Sequence, residues 1–181
     1  MKIMYYTRRP LASLLAMCLI IMLSCKKVDT TVSPFGTADL LVRTWQLGEV
    51  SASGNKGKGS TVSPGSAAYN DVFDGTVLYR FETGNKATLS DGAKKIVGTW
   101  SLLNNNSQLE IKAVDGTLTY TERWEIKSVS AESLALGVTI NDKNGGSYNE
   151  LFAFTVASIA NALGVDASAI EVTVDYKFTS K

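Results

Sequence analysis

The chain has 181 residues, 45% of them hydrophobic, a formal net charge of +1, two cysteines and no histidine. A near-neutral balance without a basic block argues against a nucleic-acid partner or an electrostatic grip on a membrane. The lack of histidine excludes Ser-His, Cys-His and His-ligated metal chemistry.

The first ten residues, MKIMYYTRRP, carry Lys2, Arg8 and Arg9 and no acid; the next thirteen, LASLLAMCLIIML, are apolar except for Ser13. Thirteen helical residues fall short of the roughly 20 that cross a bilayer, so the segment predicts a signal peptide over residues 1–24. An uncleaved anchor and a plain cleavage that leaves a free thiol are the other readings. The small Ser24 directly before Cys25 resembles the lipobox of bacterial lipoproteins, with Met22 and Leu23 departing from its commonest form. The resemblance implies acylation of Cys25 and a membrane partner reached through acyl chains, durable where several chains act together. It also implies, from Lys26 after the cysteine, an outer-membrane anchor in the cell envelope. The Ser-Cys-Lys-Lys start is similar to lipoproteins of the Bacteroidota, and the Asp29-Thr30-Thr31 triplet is similar to the O-glycosylation motif of that group. Loss of residues 1–24 would remove Cys18 and three basic side chains, leaving 15 basic against 17 acidic residues and no second thiol for a disulfide.

Residues 25–36 have no period, and their proline and glycine predict a lipidated tether. Residues 37–181 are expected to form one domain, since a chain of this size buries about two-thirds of its unfolded surface in one core. Thr37 and Asp39 suit the start of a short helical turn. Beyond it the pattern alternates. Val77, Tyr79 and Phe81 share one face of TVLYRFE; Leu118, Tyr120, Trp124 and Ile126 share one face of TLTYTERWEIK; Ile170, Val172, Val174, Tyr176 and Phe178 share one face of AIEVTVDYKF. Such alternation predicts antiparallel strands with one buried and one wet face. Turn residues between the runs separate eight strands in up-and-down order, near 43–52, 75–82, 86–90, 94–103, 107–113, 117–129, 133–141 and 148–155. Phe152, Val156, Ile159 and Leu163 then follow helical spacing up to Gly164, with the helix start open between 149 and 157, and a last strand spans about 168 to 180. The stretch SASGNKGKGSTVSPGSA is read as the longest loop, either a linker or a mobile rim.

The frame V-x-T-W-x-L occurs twice, as VRTWQL at 42–47 and VGTWSL at 97–102. A short helix, a tryptophan early in the first strand, eight meandering strands, a late helix and a final strand together resemble a lipocalin-like β-barrel, with GTWSLL similar to bacterial lipocalin-like lipoprotein domains. Arg43 stands where the family's Gly-x-Trp motif has glycine. The fold class expected is therefore all-β, an up-and-down antiparallel barrel; a two-sheet sandwich of the same strands is the rival. In up-and-down order Trp45, Trp100 and Trp124 converge on one end as a structural floor, which leaves the other end as the mouth.

An eight-stranded barrel is wide enough to be filled by its own side chains or to hold one small molecule. The residues expected to line the mouth are Val77, Tyr79, Leu89, Ile111, Leu118, Tyr120 and Val138, and the ligand expected there is small and apolar or amphipathic. The alternative is a solid barrel whose loops bind a protein or glycan; a void below roughly 300 Å³ would favour it. No G-x-S-x-G, phosphate loop or paired-acid motif is present, so no catalytic residue, cofactor or metal is assigned and an enzyme is not expected. The stretch 142–150 is only faintly similar to a calcium loop and reads better as a hairpin turn. Glu122 shares its face with Tyr120 and Trp124, which would bury a carboxylate. Two outcomes are open: an ion pair with Arg43 within about 6 Å, or a β-bulge between Tyr120 and Trp124 that turns Glu122 outward.

Overall fold

The computed structural model describes residues 36–141, 150–166 and 171–181. The expected signal segment, Cys25, the expected tether up to residue 35, residues 142–149, where a hairpin turn is expected, and residues 167–170 lie outside the described residues.

A short helix α1 (Thr37–Leu41) opens the domain, with the Asp39 carboxylate accepting from the Gly36 N–H at 3.2 Å, so Gly36 and not Thr37 is the capping position. Strand β1 (Thr44–Gly54) follows, then β2 (Gly57–Val62) and a single helical turn α2 (Ala67–Asn70). A meander comes next: β3 (Val77–Glu82), β4 (Lys86–Asp91), β5 (Lys94–Leu103), β6 (Gln108–Asp115), β7 (Leu118–Val129) and β8 (Ser133–Asn141). Helix α3 (Glu150–Ala162) and β9 (Glu171–Ser180) complete it.

Each strand from β3 to β9 pairs antiparallel with the next, and β1 pairs with both β3 and β9. The sheet therefore closes into an eight-stranded up-and-down barrel, and closure removes the free edges that a sandwich would keep. The seam between β1 and β3 is short, running from Thr44↔Arg80 to Gln46↔Leu78. Above it β1 parts from β3 and pairs with β2 instead, from Val50↔Val62 to Gly54↔Gly57.

Two expectations change. Residues 52–75 are not one loop: they hold the end of β1, all of β2 and α2. The apolar period is absent from GKGSTV, so burial could not betray a strand whose pairing comes from its backbone. Gly59 shows why small residues are needed there. A Cβ at this position would stand 2.7 Å from the Leu163 carbonyl oxygen, and the neighbouring Ser60 N–H donates to that oxygen at 2.6 Å. Nor do residues 150–155 of the strand expected at 148–155 form one, because α3 begins at Glu150 and buries Phe152, Val156, Ile159 and Ala160. A short apolar run cannot be told from a helix by period alone; the i, i+4, i+7, i+8 spacing across the longer segment decides. The helix stops at Gly164, whose φ of 83° is left-handed. The Gly164 N–H donates to Asn161 and the Val165 N–H to Ala160, closing a Schellman cap.

The core fills the barrel and continues under α3. Trp45, Leu47, Val50, Leu109, Ile111, Leu136 and Val174 have no measurable exposure to speak of, and Val156 of α3 joins them. One end of the barrel is closed by α1 and the turns after β3, β5 and β7. At that end the Trp45 Nε1 donates to the Leu41 carbonyl at 3.0 Å, and the Trp100 Nε1 to the Glu82 carbonyl at 3.1 Å. Helix α3 packs over the other end, touching β1, β7, β8 and β9.

Candidate ligand cavity

Between α3 and the barrel interior lies a cavity of about 590 Å³. Its wall alternates along the strands: Val77 and Tyr79 from β3, Leu89 and Asp91 from β4, and Leu118, Tyr120, Glu122 and Trp124 from β7 all front it. The period of two puts every second side chain inside, and β7 contributes four in succession. Helix α3 supplies the roof with Phe152, Phe154, Thr155, Val156 and Ile159. At the rim Leu118 is 58% exposed and Phe154 70% exposed, both apolar side chains turned to water at the opening.

Of the residues expected at the mouth, Val77, Tyr79, Leu89, Leu118 and Tyr120 stand on the cavity wall. Ile111 and Val138 do not. Ile111 lies between Trp100 and Glu122 in the ladder and is fully buried; Val138 pairs with Val174 and is likewise covered. Strand parity fixes the face on which a side chain lies but not its height along the barrel, and these two lie outside the open part. Trp45 and Trp100 sit at the closed end as expected. Trp124 is displaced from that floor: its ring packs 4.7 Å from Tyr176 and 5.2 Å from Phe152, and it forms part of the cavity wall.

Glu122 points inward. The β6–β7 register runs unbroken from Gln108↔Glu125 to Asp115↔Leu118, so no bulge lies between Tyr120 and Trp124. The irregularity in β7 falls between Ile126 and Ser128 instead. Among the described residues no ion pair joins Glu122 to Arg43. Arg43 precedes β1, lies over the Trp45 ring at 5.3 Å and donates to the Ala131 carbonyl in the turn after β7. Glu122 belongs to the half of β7 nearer the opposite end of that strand, so shared parity did not bring the two together. Its partners are neutral donors: the Tyr79 hydroxyl at 3.2 Å and the Trp124 Nε1 at 2.9 Å, both on Oε2.

Burial raises the Glu122 carboxyl above its ordinary range, only partly offset by the bonds from Trp124 and Tyr79. The same chemistry acts on the tyrosines around it. Burial and then the nearby Glu122 charge push Tyr79, Tyr120 and Tyr176 upward, so all three keep their hydroxyl protons at physiological pH. Nearer the opening, Asp91 and the Lys94–Asp115 ion pair, at 2.7 Å, face the same space. The cavity thus combines apolar and aromatic walls with a few converging polar groups, the composition of small-molecule sites.

Sequence reasoning missed the roof and the acids at the rim. The helical spacing of Phe152, Val156 and Ile159 was visible, but nothing in it says that the helix lies over the mouth. No group of three or more metal-ligating side chains occurs among the described residues.

The fold and the cavity define a class: a closed eight-stranded antiparallel barrel with an internal hollow beneath a helix. No family model matches the chain, and no curated protein sequence matches it. Among solved structures it is similar to a lipocalin-like protein from Bacteroides uniformis, with a TM-score of 0.42 and 11% identity over 78% of this chain and 99% of the other. The barrel assignment rests on the strand ladders of this chain.

Proposed function

We propose that the protein is a lipid-anchored, non-enzymatic binding protein of the cell envelope that holds a small apolar or amphipathic molecule in the barrel cavity. The observation that carries the reading is the volume of about 590 Å³ behind apolar walls. Ordinary ligand pockets span about 300 to 1,000 Å³, and a barrel packed solid with its own side chains would fall below that range. That volume favours the cavity over the alternative of an interaction module that binds only through its loops. The anchor rests on the sequence around Cys25: acyl chains there, through the 25–36 tether, would hold the barrel at the outer membrane. No nucleic-acid partner and no cofactor belong to the reading.

An environment-sensitive apolar dye tests it. The reading expects the purified domain to enhance dye fluorescence saturably, decan-1-ol to displace the dye, and Leu89→Trp, which pushes an indole into the cavity, to abolish the enhancement while the thermal transition persists. Equal enhancement by Leu89→Trp would refute it.

A further inference from the structure

The charge on the cavity wall is lopsided. Four carboxylates, Asp71, Asp91, Asp115 and Glu122, front it, against one ammonium, Lys94. Lys94 is already engaged by Asp115 at 2.7 Å. Asp91 Oδ1 is buried and has no hydrogen-bond partner among the described residues. Both bonds to Glu122 fall on Oε2, come from neutral donors, and leave Oε1 without one among the described residues. Asp91, Glu122 and Tyr176 all front the same cavity.

Around Glu122 the wall is aromatic. The Tyr79 and Trp124 rings bond to it through O–H and N–H, and Tyr120 and Tyr176 lie within reach of its charge. Half-buried carboxylates that face a cavity without a cation of their own carry a desolvation cost that a bound cation would relieve. The negative faces of tyrosine and tryptophan rings attract a cation most strongly where water is excluded, which is how quaternary ammonium groups are held. The same lining repels a carboxylate headgroup and gives an alcohol no comparable gain.

We infer that the cavity selects a cationic amphiphile, an amine or quaternary ammonium head lodged among Glu122, Tyr79, Tyr120, Trp124 and Tyr176, with its apolar body under α3. This rests on the pocket proposed above and names the chemical class of its occupant.

Three probes of one chain length separate the two claims: decyltrimethylammonium, decan-1-ol and decanoate, each titrated calorimetrically below its micellar range into wild type, Glu122→Gln and Asp91→Asn. Glu122→Gln keeps an oxygen acceptor for Tyr79 and Trp124, and Asp91→Asn gives a second reading should the first variant fail to fold. The expected result is that the cation binds wild type about ten-fold or more tightly than the alcohol, that decanoate binds weakest, and that either variant lowers cation affinity several-fold more than it lowers alcohol affinity. Equal affinities for cation and alcohol, a preference for decanoate, or a cation preference that survives in the folded variants would overturn the cation assignment and leave the pocket standing. If none of the three binds, the pocket itself is refuted and this inference with it.

Discussion

Phe152 and Phe154 lie two residues apart on α3 and should respond to truncation in opposite ways. Phe152 is 4% exposed and meets the Trp124 ring edge-on at 5.2 Å; Phe154 is 70% exposed. Removing a buried phenyl costs about 3 to 5 kcal/mol, of which about 0.5 to 1.5 is the aromatic pair itself. Because one side of Phe152 already fronts the cavity, the lower end, about 3 kcal/mol, is expected for Phe152→Ala. In a domain of this size each kcal/mol moves the melting temperature by about 2 to 4 °C, so the midpoint should fall by roughly 6 to 12 °C. Phe154→Ala should stay within about 0.5 kcal/mol of wild type. Thermal melts followed by circular dichroism at one scan rate decide it. A fall of less than about 2 °C for Phe152→Ala, or equal falls for both variants, would refute the packing of α3 into the barrel mouth.

Three further outcomes follow from the same geometry. Since the Glu122 carboxyl is raised in the folded state, it binds its proton more tightly there than in the unfolded chain; its contribution is most favourable below the unfolded value near 4.3 and weakens as pH rises through the folded one. The stability of Glu122→Gln relative to wild type should therefore increase with pH above about 4.3, and urea melts showing a difference independent of pH would contradict this. Glu110, on the outer face, behaves oppositely: burial raises its carboxyl, but bonds from Lys112 at 2.9 Å and Arg123 at 2.8 Å outweigh burial and leave it lowered. Glu110→Gln should then lose about 1 kcal/mol at neutral pH, a deficit that shrinks as acid protonates the wild-type carboxylate below about pH 4.3; a constant deficit down to pH 3 would show that the charge is not involved. Finally, Gly59→Ala should destabilise by about 1 to 3 kcal/mol through overpacking against Leu163 and Val165, which an unchanged urea midpoint would disprove.

The barrel was legible because most of its strands bury one face and wet the other, as Tyr79, Tyr120 and Tyr176 illustrate at alternate positions. What alternation cannot carry is height. Ile111 and Tyr120 face inward equally, yet only Tyr120 stands where the core is open. Strand β2 was hidden for a related reason: Gly57 to Thr61 bury almost nothing, and the segment is recruited by backbone pairing with β1 and by the space that Gly59 leaves for the end of α3. The odd charge of Glu122 was conspicuous in sequence, but its partners were not. Tyr79 is 43 residues away, and only barrel closure decides that a phenol and an indole, rather than the guanidinium of Arg43, meet it.

The tryptophan frames divide accordingly. Trp45 and Trp100 seal the closed end by donating to Leu41 and Glu82. Trp124 has the same burial but a different task, since one side of its ring supports α3 through Phe152 and its N–H holds Glu122 at the cavity. A cavity wall that holds the Glu122 carboxylate on tyrosine and tryptophan donors is preorganised: these polar groups are oriented before any occupant arrives, which lowers the ordering cost of binding.

Native mass spectrometry of the protein purified from the cells that naturally make it tests the central claim most directly. The account predicts a small-molecule adduct on wild type that is absent from folded Leu89→Trp. A bare wild-type mass, or an adduct that persists when Leu89→Trp fills the cavity, would contradict it.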